Sequence, residues 1–72
     1  MRVVYDLGAD TLSIILSDRP VAESDEEKPG VILDFDEGGN VVSLEILEAS
    51  RRVDQPMQMV YELMPTGTEG SS

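Results

Sequence analysis

Residues 30–50, GVILDFDEGGNVVSLEILEAS, hold two short apolar segments separated by an acidic, glycine-bearing turn. Apolar side chains occupy alternate positions in both segments, and a period of two is typical of a pleated strand with one buried face. The glycines and the asparagine at residues 37–40 tolerate the positive φ values that tight hairpin turns require. The stretch therefore predicts a β-hairpin with strands at residues 31–36 and 41–47.

A second hairpin is predicted near the beginning of the sequence. Residues 2–6, RVVYD, and residues 11–16, TLSIIL, are rich in β-branched and other large apolar side chains, which suit a pleated surface. Residues 7–10 form the turn, and Gly8 is the predicted residue of positive φ because glycine has no Cβ to clash there. Two hairpins indicate an antiparallel sheet.

The connection between the hairpins interrupts the alternation. Residues 17–30 contain two prolines and an acidic run, and we interpret them as an exposed connection. A short edge strand at residues 21–24 is the alternative. The predicted fold class is mainly β, with α+β as the alternative: an antiparallel sheet of four to five strands built from two β-hairpins.

The C-terminal part is predicted to be a short helical or irregular segment. Residues 48–53 lose the alternation and fit one or two helical turns, which Pro56 would end. Residues 57–64, MQMVYELM, fit both periods, and we interpret them as a strand because they are few and follow a proline. Residues 65–72 lack large apolar side chains and predict a disordered tail, so a single domain is expected over residues 1–64.

Both faces of the predicted sheet carry apolar side chains, although an antiparallel sheet commonly leaves one polar face in water. We expect the C-terminal segment to cover one face and a second copy to cover the other, which predicts a homodimer. The first face carries Val3, Tyr5, Leu12, Ile14, Leu16, Val31, Leu33, Phe35, Val42, Leu44 and Ile46, and the second carries Val4, Ile15, Ile32, Val41 and Leu47.

Alternating side chains of the C-terminal segment are candidate contacts with a partner. They are Met57, Met59, Tyr61 and Leu63. Methionine is flexible and polarizable, and it adapts to varied surfaces. Ordinary core packing is the alternative interpretation of these residues.

The formal net charge of −10 and the pI of about 4.1 limit the classes of partner. Nucleic acids and anionic membranes attract clustered Lys and Arg, which this sequence lacks, so neither is expected as a partner. An acidic surface accelerates encounter with a basic protein, which is therefore a second candidate partner. No apolar run reaches the roughly 20 residues of a membrane span, and no signal peptide is recognised, so a cytoplasmic location is expected.

Catalytic chemistry finds little support in the composition. The sequence contains no cysteine and no histidine, so a thiolate nucleophile and the commonest general base are both missing. The carboxylates could converge in the fold, but the serines have no evident base partner. We therefore expect a non-enzymatic protein without a cofactor.

The acidic hairpin also matches a calcium loop. The spacing Asp34-x-Asp36-x-Gly38-Gly39-x-Val41-x-x-x-Glu45 places carboxylates, glycine and a final glutamate at the positions such a loop uses. The flanking segments read as strands, however, where this loop requires helices. The candidate ligands Asp34, Asp36, Glu37 and Glu45 thus define an alternative function, a divalent-cation-binding module, beside the favoured interpretation of a solvated acidic hairpin.

Several short motifs resemble a known family. They are Tyr5-Asp6, Ala9-Asp10, Leu12-x-Ile14-x-Leu16, Glu23-Ser24, Asp34-x-Asp36, Gly39, Val42 and Glu45-Ile46-Leu47-x-Ala49-Ser50. Together they resemble the small bacterial and archaeal proteins of domain of unknown function 2283, over about residues 3–50. One departure is Ser43, where the family usually carries glycine. The resemblance implies a compact β-rich cytoplasmic protein with no assigned activity, and an antitoxin-like role is suggested by analogy alone.

Overall fold

Five strands and one short helix are present in the computed structural model, which describes residues 1–66. The elements are β1 (Arg2–Asp6), β2 (Thr11–Ile15), β3 (Glu23–Lys28), β4 (Val31–Phe35), β5 (Val41–Leu47) and α1 (Ala49–Arg52). The strands form a single antiparallel sheet in the order β1-β2-β5-β4-β3. The predicted fold class, a mainly β antiparallel sheet with a short helical or irregular C-terminal segment, is confirmed.

The two predicted hairpins are β1–β2 and β4–β5, and they join through the pairing of β2 with β5. Gly39, in the β4–β5 turn, has a φ of 82°, which accounts for a glycine at that position. A bulge between Asp34 and Phe35 shifts the register of β4 on β5. Val42 points to the same side of β5 as Leu44 and Ile46 and is 3% exposed.

Three local predictions are wrong. The connection at residues 17–30 contains a full edge strand, β3, which pairs with β4 although its side chains are all exposed. The residue of positive φ in the first turn is Asp10, at 52°, and not Gly8. Residues 57–64, interpreted from sequence as a strand, belong to no strand or helix.

The cross-strand pairs place large apolar side chains on one side of the sheet. Val3, Ile14, Leu44 and Leu33 lie in one row, and Tyr5, Leu12, Ile46 and Val31 lie in the next. We call this side, with Phe35 and Val42, the apolar face. The opposite side, which we call the polar face, carries Val4, Ser13, Ile15, Ser24, Ile32, Asp34, Ser43 and Glu45.

Helix α1 closes one end of the sheet. Ala49 is fully buried, and its N–H donates to the backbone oxygen of Asp10 in the β1–β2 turn at 2.8 Å. On the other side of the helix, the Arg52 guanidinium lies over Gly30 so closely that a Cβ there would meet it at 2.7 Å. The helix therefore lies between the β1–β2 turn and the β3–β4 turn, which are at the same end of the sheet.

No helix within residues 1–66 is long and apolar enough to cross a membrane. The predicted disordered tail, residues 65–72, lies mostly outside the described residues.

Candidate functional site

The apolar face is the largest feature of the fold that its own chain leaves incompletely covered. Within residues 1–66, the buried hydrophobic residues are Val42 and Ala49, and no large side chain is fully buried. The apolar side chains of the central strands, including Leu33, Leu44 and Ile46, are only half-buried. A sheet buries such a face in a stable protein, so this surface is suited to contact with another layer.

The chain itself covers one corner of the apolar face. Residues 56–59 lie beside β1 and β2, and an open pocket of about 220 Å³ is found between them. Its walls are formed by Val3, Tyr5 and Leu12 on one side and by residues 56–59 on the other. None of the residues that line this pocket belongs to the central strands β5 and β4.

We call residues 57–64 the arm. The predicted interaction residues Met57, Met59, Tyr61 and Leu63 are between 60% and 83% exposed. Val60 and Met64, between and beyond them, are exposed to a similar extent. Six large apolar side chains within eight positions are thus presented to water, beside a sheet face that is itself half-exposed.

No three of the candidate metal ligands Asp34, Asp36, Glu37 and Glu45 form a group that could hold a metal ion. The Asp36 carboxylate accepts hydrogen bonds from the N–H groups of Gly38 and Asn40, both at 2.9 Å, and forms an ion pair with Arg19. The Asn40 N–H and then Arg19 hold the pKa of Asp36 below its ordinary value, against the opposing effect of burial. This carboxylate stabilises the β4–β5 turn and is already saturated with protein donors.

Asp34 is engaged separately, on the polar face. Its two carboxylate oxygens accept hydrogen bonds from Ser24 Oγ and Ser43 Oγ, each at 2.6 Å. Burial opposes the charged form of Asp34, but the hydrogen bonds from both serines outweigh it and hold its pKa below the ordinary value. Ser43, which departs from the family pattern, therefore satisfies a buried acid in this chain.

Glu45 lies close to Asp34 on the polar face. Burial first, and then the neighbouring Asp34, raise the pKa of Glu45. Glu37 stays exposed in the turn. No group of three or more acidic, histidine or cysteine side chains in the described part of the chain is placed to hold a metal ion.

A cluster that sequence reasoning missed joins α1 to the first turn. The Asp10 carboxylate accepts hydrogen bonds from Tyr5 Oη at 2.6 Å, from Ser50 Oγ at 2.6 Å and from the Ser50 N–H at 3.0 Å. Hydrogen bonds from Ser50 and Tyr5 hold the pKa of Asp10 low, and the bond to Asp10 raises the pKa of Tyr5. These hydrogen bonds tie β1 and the beginning of α1 to the first turn.

The signal for this cluster was present in the sequence. Tyr5, Asp10 and Ser50 all lie in the motifs that carry the family resemblance. What the sequence did not indicate is that these motifs contact each other across 40 positions. The family pattern thus coincides here with the contacts that close the sheet end, and the arm lies outside it.

Comparison with known proteins agrees with this division of the chain. Neither the curated proteins nor the solved structures yielded a match. A family model described as "Protein of unknown function (DUF2283)" matches residues 2–50, which contain all five strands and the beginning of α1. The chain therefore belongs to the DUF2283 family.

Proposed function

We propose that this protein acts by association in the cytoplasm and not by catalysis, and that its apolar face packs against the same face of a second copy. The observation that carries the proposal is the half-exposed state of the apolar face, at the centre of which Leu33, Leu44 and Ile46 keep contact with water. In a homodimer with a two-fold axis, the apolar face of each copy covers the apolar face of the other.

Energetics support this arrangement. Burial of apolar surface stabilises a fold by roughly 25 cal/mol per Å², and a small domain has little such surface to spare. This chain has no disulfide to replace a missing core, because it has no cysteine. Two sheets that pack face to face, about 10 Å apart, would give each copy the second layer that it lacks.

The arm supplies further apolar surface for the same contact. Residues 57–64 begin where residues 56–59 lie on β1 and β2, at the margin of the apolar face. We infer that Met57, Met59, Tyr61 and Leu63, which are exposed in the single chain, contact the rim of the second copy. Methionine-rich surfaces adapt to the shape of what they meet, which suits such a role.

The charge distribution favours a basic protein as a second class of partner. Residues 1–50 carry 12 acids and 3 bases, a formal charge of 3 − 12 = −9. On β3, Glu23, Asp25, Glu26 and Glu27 are all exposed. Such a surface would attract a cationic protein to the edge of the dimer, which is the sense in which an antitoxin-like role is proposed.

Sedimentation equilibrium over a wide range of concentration tests the proposal. We expect at least twice the chain mass of 7.9 kDa for the wild-type protein. Leu33→Gln should shift the protein toward single chains, because it places an amide in the proposed interface. Ile32→Gln is the matched control, since it changes the neighbouring residue of β4 on the polar face.

Circular dichroism spectra of both variants serve as the control for folding. A wild-type protein that sediments as a single chain at every concentration would refute face-to-face packing. Equal dissociation of the Leu33→Gln and Ile32→Gln dimers would refute the choice of face.

A further inference from the structure

The two edge strands of the sheet, β3 and β1, differ in the features that discourage pairing with a strand of another molecule. At one edge, β3 carries four acids and a register irregularity between Glu26 and Lys28, and both features discourage pairing with another strand. At the other edge, β1 contains no proline, no lysine and no bulge, and it pairs with β2 in uninterrupted register. Across residues 1–66, no backbone group bonds to the outer side of β1.

The sequence of this open edge is complementary to itself. In an antiparallel pair of two β1 strands related by a two-fold axis at Val4, Arg2 faces Asp6 of the second copy, and Asp6 faces its Arg2. The same register sets Val3 against Tyr5 in both directions. We propose that β1 is a self-recognition edge, which pairs antiparallel with β1 of a second copy about Val4.

The register follows from the charges. Moving the axis by one residue, to Val3 or to Tyr5, separates Arg2 from Asp6 and removes both opposite-charge pairs. Arg2 forms no ion pair with any residue that the structure describes, so its guanidinium is available to a partner. Asp6 accepts one hydrogen bond, from the Ala9 N–H through Oδ1, which leaves the carboxylate capacity for more.

The faces of the strand agree with this register. Arg2, Val4 and Asp6 point to the polar face, so the charged pairs would form on the side that faces water. Val3 and Tyr5 point to the apolar face, and their pairing would continue the apolar face from one copy into the next. Val4, 38% exposed in the single chain, would meet its own counterpart at the axis.

This contact is independent of face-to-face packing and goes beyond it. Each copy has one β1 edge, so a face-packed dimer presents two of them. With both contacts, we expect assemblies of more than two chains at high concentration. With edge pairing alone, the protein would be a dimer.

Charge exchange tests the edge contact. In Arg2→Asp or Asp6→Arg each pair across the axis becomes a pair of like charges, and we expect the edge association constant to fall about tenfold. An equimolar mixture of the two variants restores opposite charges at both positions, as does the double variant. Glu26→Lys, at the opposite edge, is the control and should leave edge association unchanged.

Analytical ultracentrifugation gives the readout. Larger species that disappear in each single variant and return in the mixture support the proposal. Single variants with the mass distribution of the wild-type protein overturn it. A wild-type dimer that Arg2→Asp converts to single chains supports edge pairing while refuting face-to-face packing, so the two proposals fail separately.

Cross-linking provides a second test that leaves Asp6 and its hydrogen bond from the Ala9 N–H unchanged. A two-fold axis at Val4 brings the two Cβ atoms within about 4.5–5.5 Å, so Val4→Cys should form a disulfide between copies on mild oxidation. Ser13→Cys is the matched control, because Ser13 is the partner of Val4 one strand further in. The chain has no other cysteine. Failure of Val4→Cys to cross-link faster than Ser13→Cys would overturn the proposal.

Discussion

Asp10 and Ser50 lie 40 positions apart and are joined twice, by the Ser50 hydroxyl at 2.6 Å and by the Ser50 N–H at 3.0 Å. One carboxylate thereby receives the beginning of α1, while the same carboxylate holds the Tyr5 hydroxyl of β1. The contact joins Ser50, the last residue of the family-matched region, to the turn that follows its first strand. Within residues 1–66, no other carboxylate accepts a hydrogen bond from α1.

Removing the Ser50 hydroxyl should weaken the fold measurably. We expect Ser50→Ala to lower the free energy of unfolding, because one hydrogen bond to a charged group is lost while the backbone bond remains. Urea denaturation followed by circular dichroism measures this change. Ser13→Ala, at a serine that the described residues leave without a side-chain hydrogen bond, is the control, and an equal loss there would contradict the assigned role.

A charge in the middle of the apolar face should unfold the protein. Leu44→Asp places an unpaired carboxylate between β2 and β4, at a loss of roughly 3–5 kcal/mol, a large part of the stability of a small domain. Val41→Asp, at the exposed start of β5, should have a much smaller effect. A thermal melt of Leu44→Asp that matches the wild-type protein would show that the apolar face is assigned wrongly.

Glu45 should destabilise the protein at neutral pH. Because burial and Asp34 raise its folded pKa above the ordinary 4.5, the folded state holds the proton more tightly, and stability falls as pH rises from about 4.5 through the folded value. Glu45→Gln removes this unfavourable charge, so its melting temperature should exceed that of the wild-type protein at pH 7. The advantage should shrink below pH 4.5, and a constant advantage at all pH values would contradict this explanation.

Asp36 should act in the opposite direction. Its folded pKa lies below the ordinary 3.8, so its contribution to stability is present above that value and is lost as pH falls through the folded pKa. Asp36→Asn should therefore flatten the acid limb of the stability curve below about pH 3.8. Melting temperatures measured from pH 2 to pH 6 test this, with Glu37→Gln in the same turn as a control that should keep the limb.

Sequence reasoning identified the elements whose side chains alternate. Both hairpins were predictable because the segments around Leu12 and Leu44 show a period of two between glycine-bearing or acidic turns. β3 was predicted only as an alternative, at residues 21–24, because its sequence, ESDEEK, has no apolar face, and the strand exists through backbone pairing with β4. Alternation reports burial, so a fully exposed edge strand leaves no such trace.

The candidate site was predictable only in part. The predicted apolar side chains of β1, β2, β4 and β5 share one side of the sheet, except that Leu16 lies beyond the end of β2. The hydrogen bonds of Asp34 to Ser24 and Ser43, and of Asp10 to Ser50, join positions that no local pattern connects. Asp34 and Asp36 accept hydrogen bonds from protein donors, and spacing along the chain does not reveal which donors a fold supplies.

The position of α1 divides the described chain into residues that pair in the sheet and residues that do not. Asp10 on one side and Gly30 on the other hold the helix, so the chain leaves the sheet at a fixed point after residue 52. Everything before that point is constrained by strand register, whereas the sequence of the arm can change without disturbing a single ladder. The strand pairing and these two turns thus fix the position of α1, and the described residues after α1 take no part in the sheet.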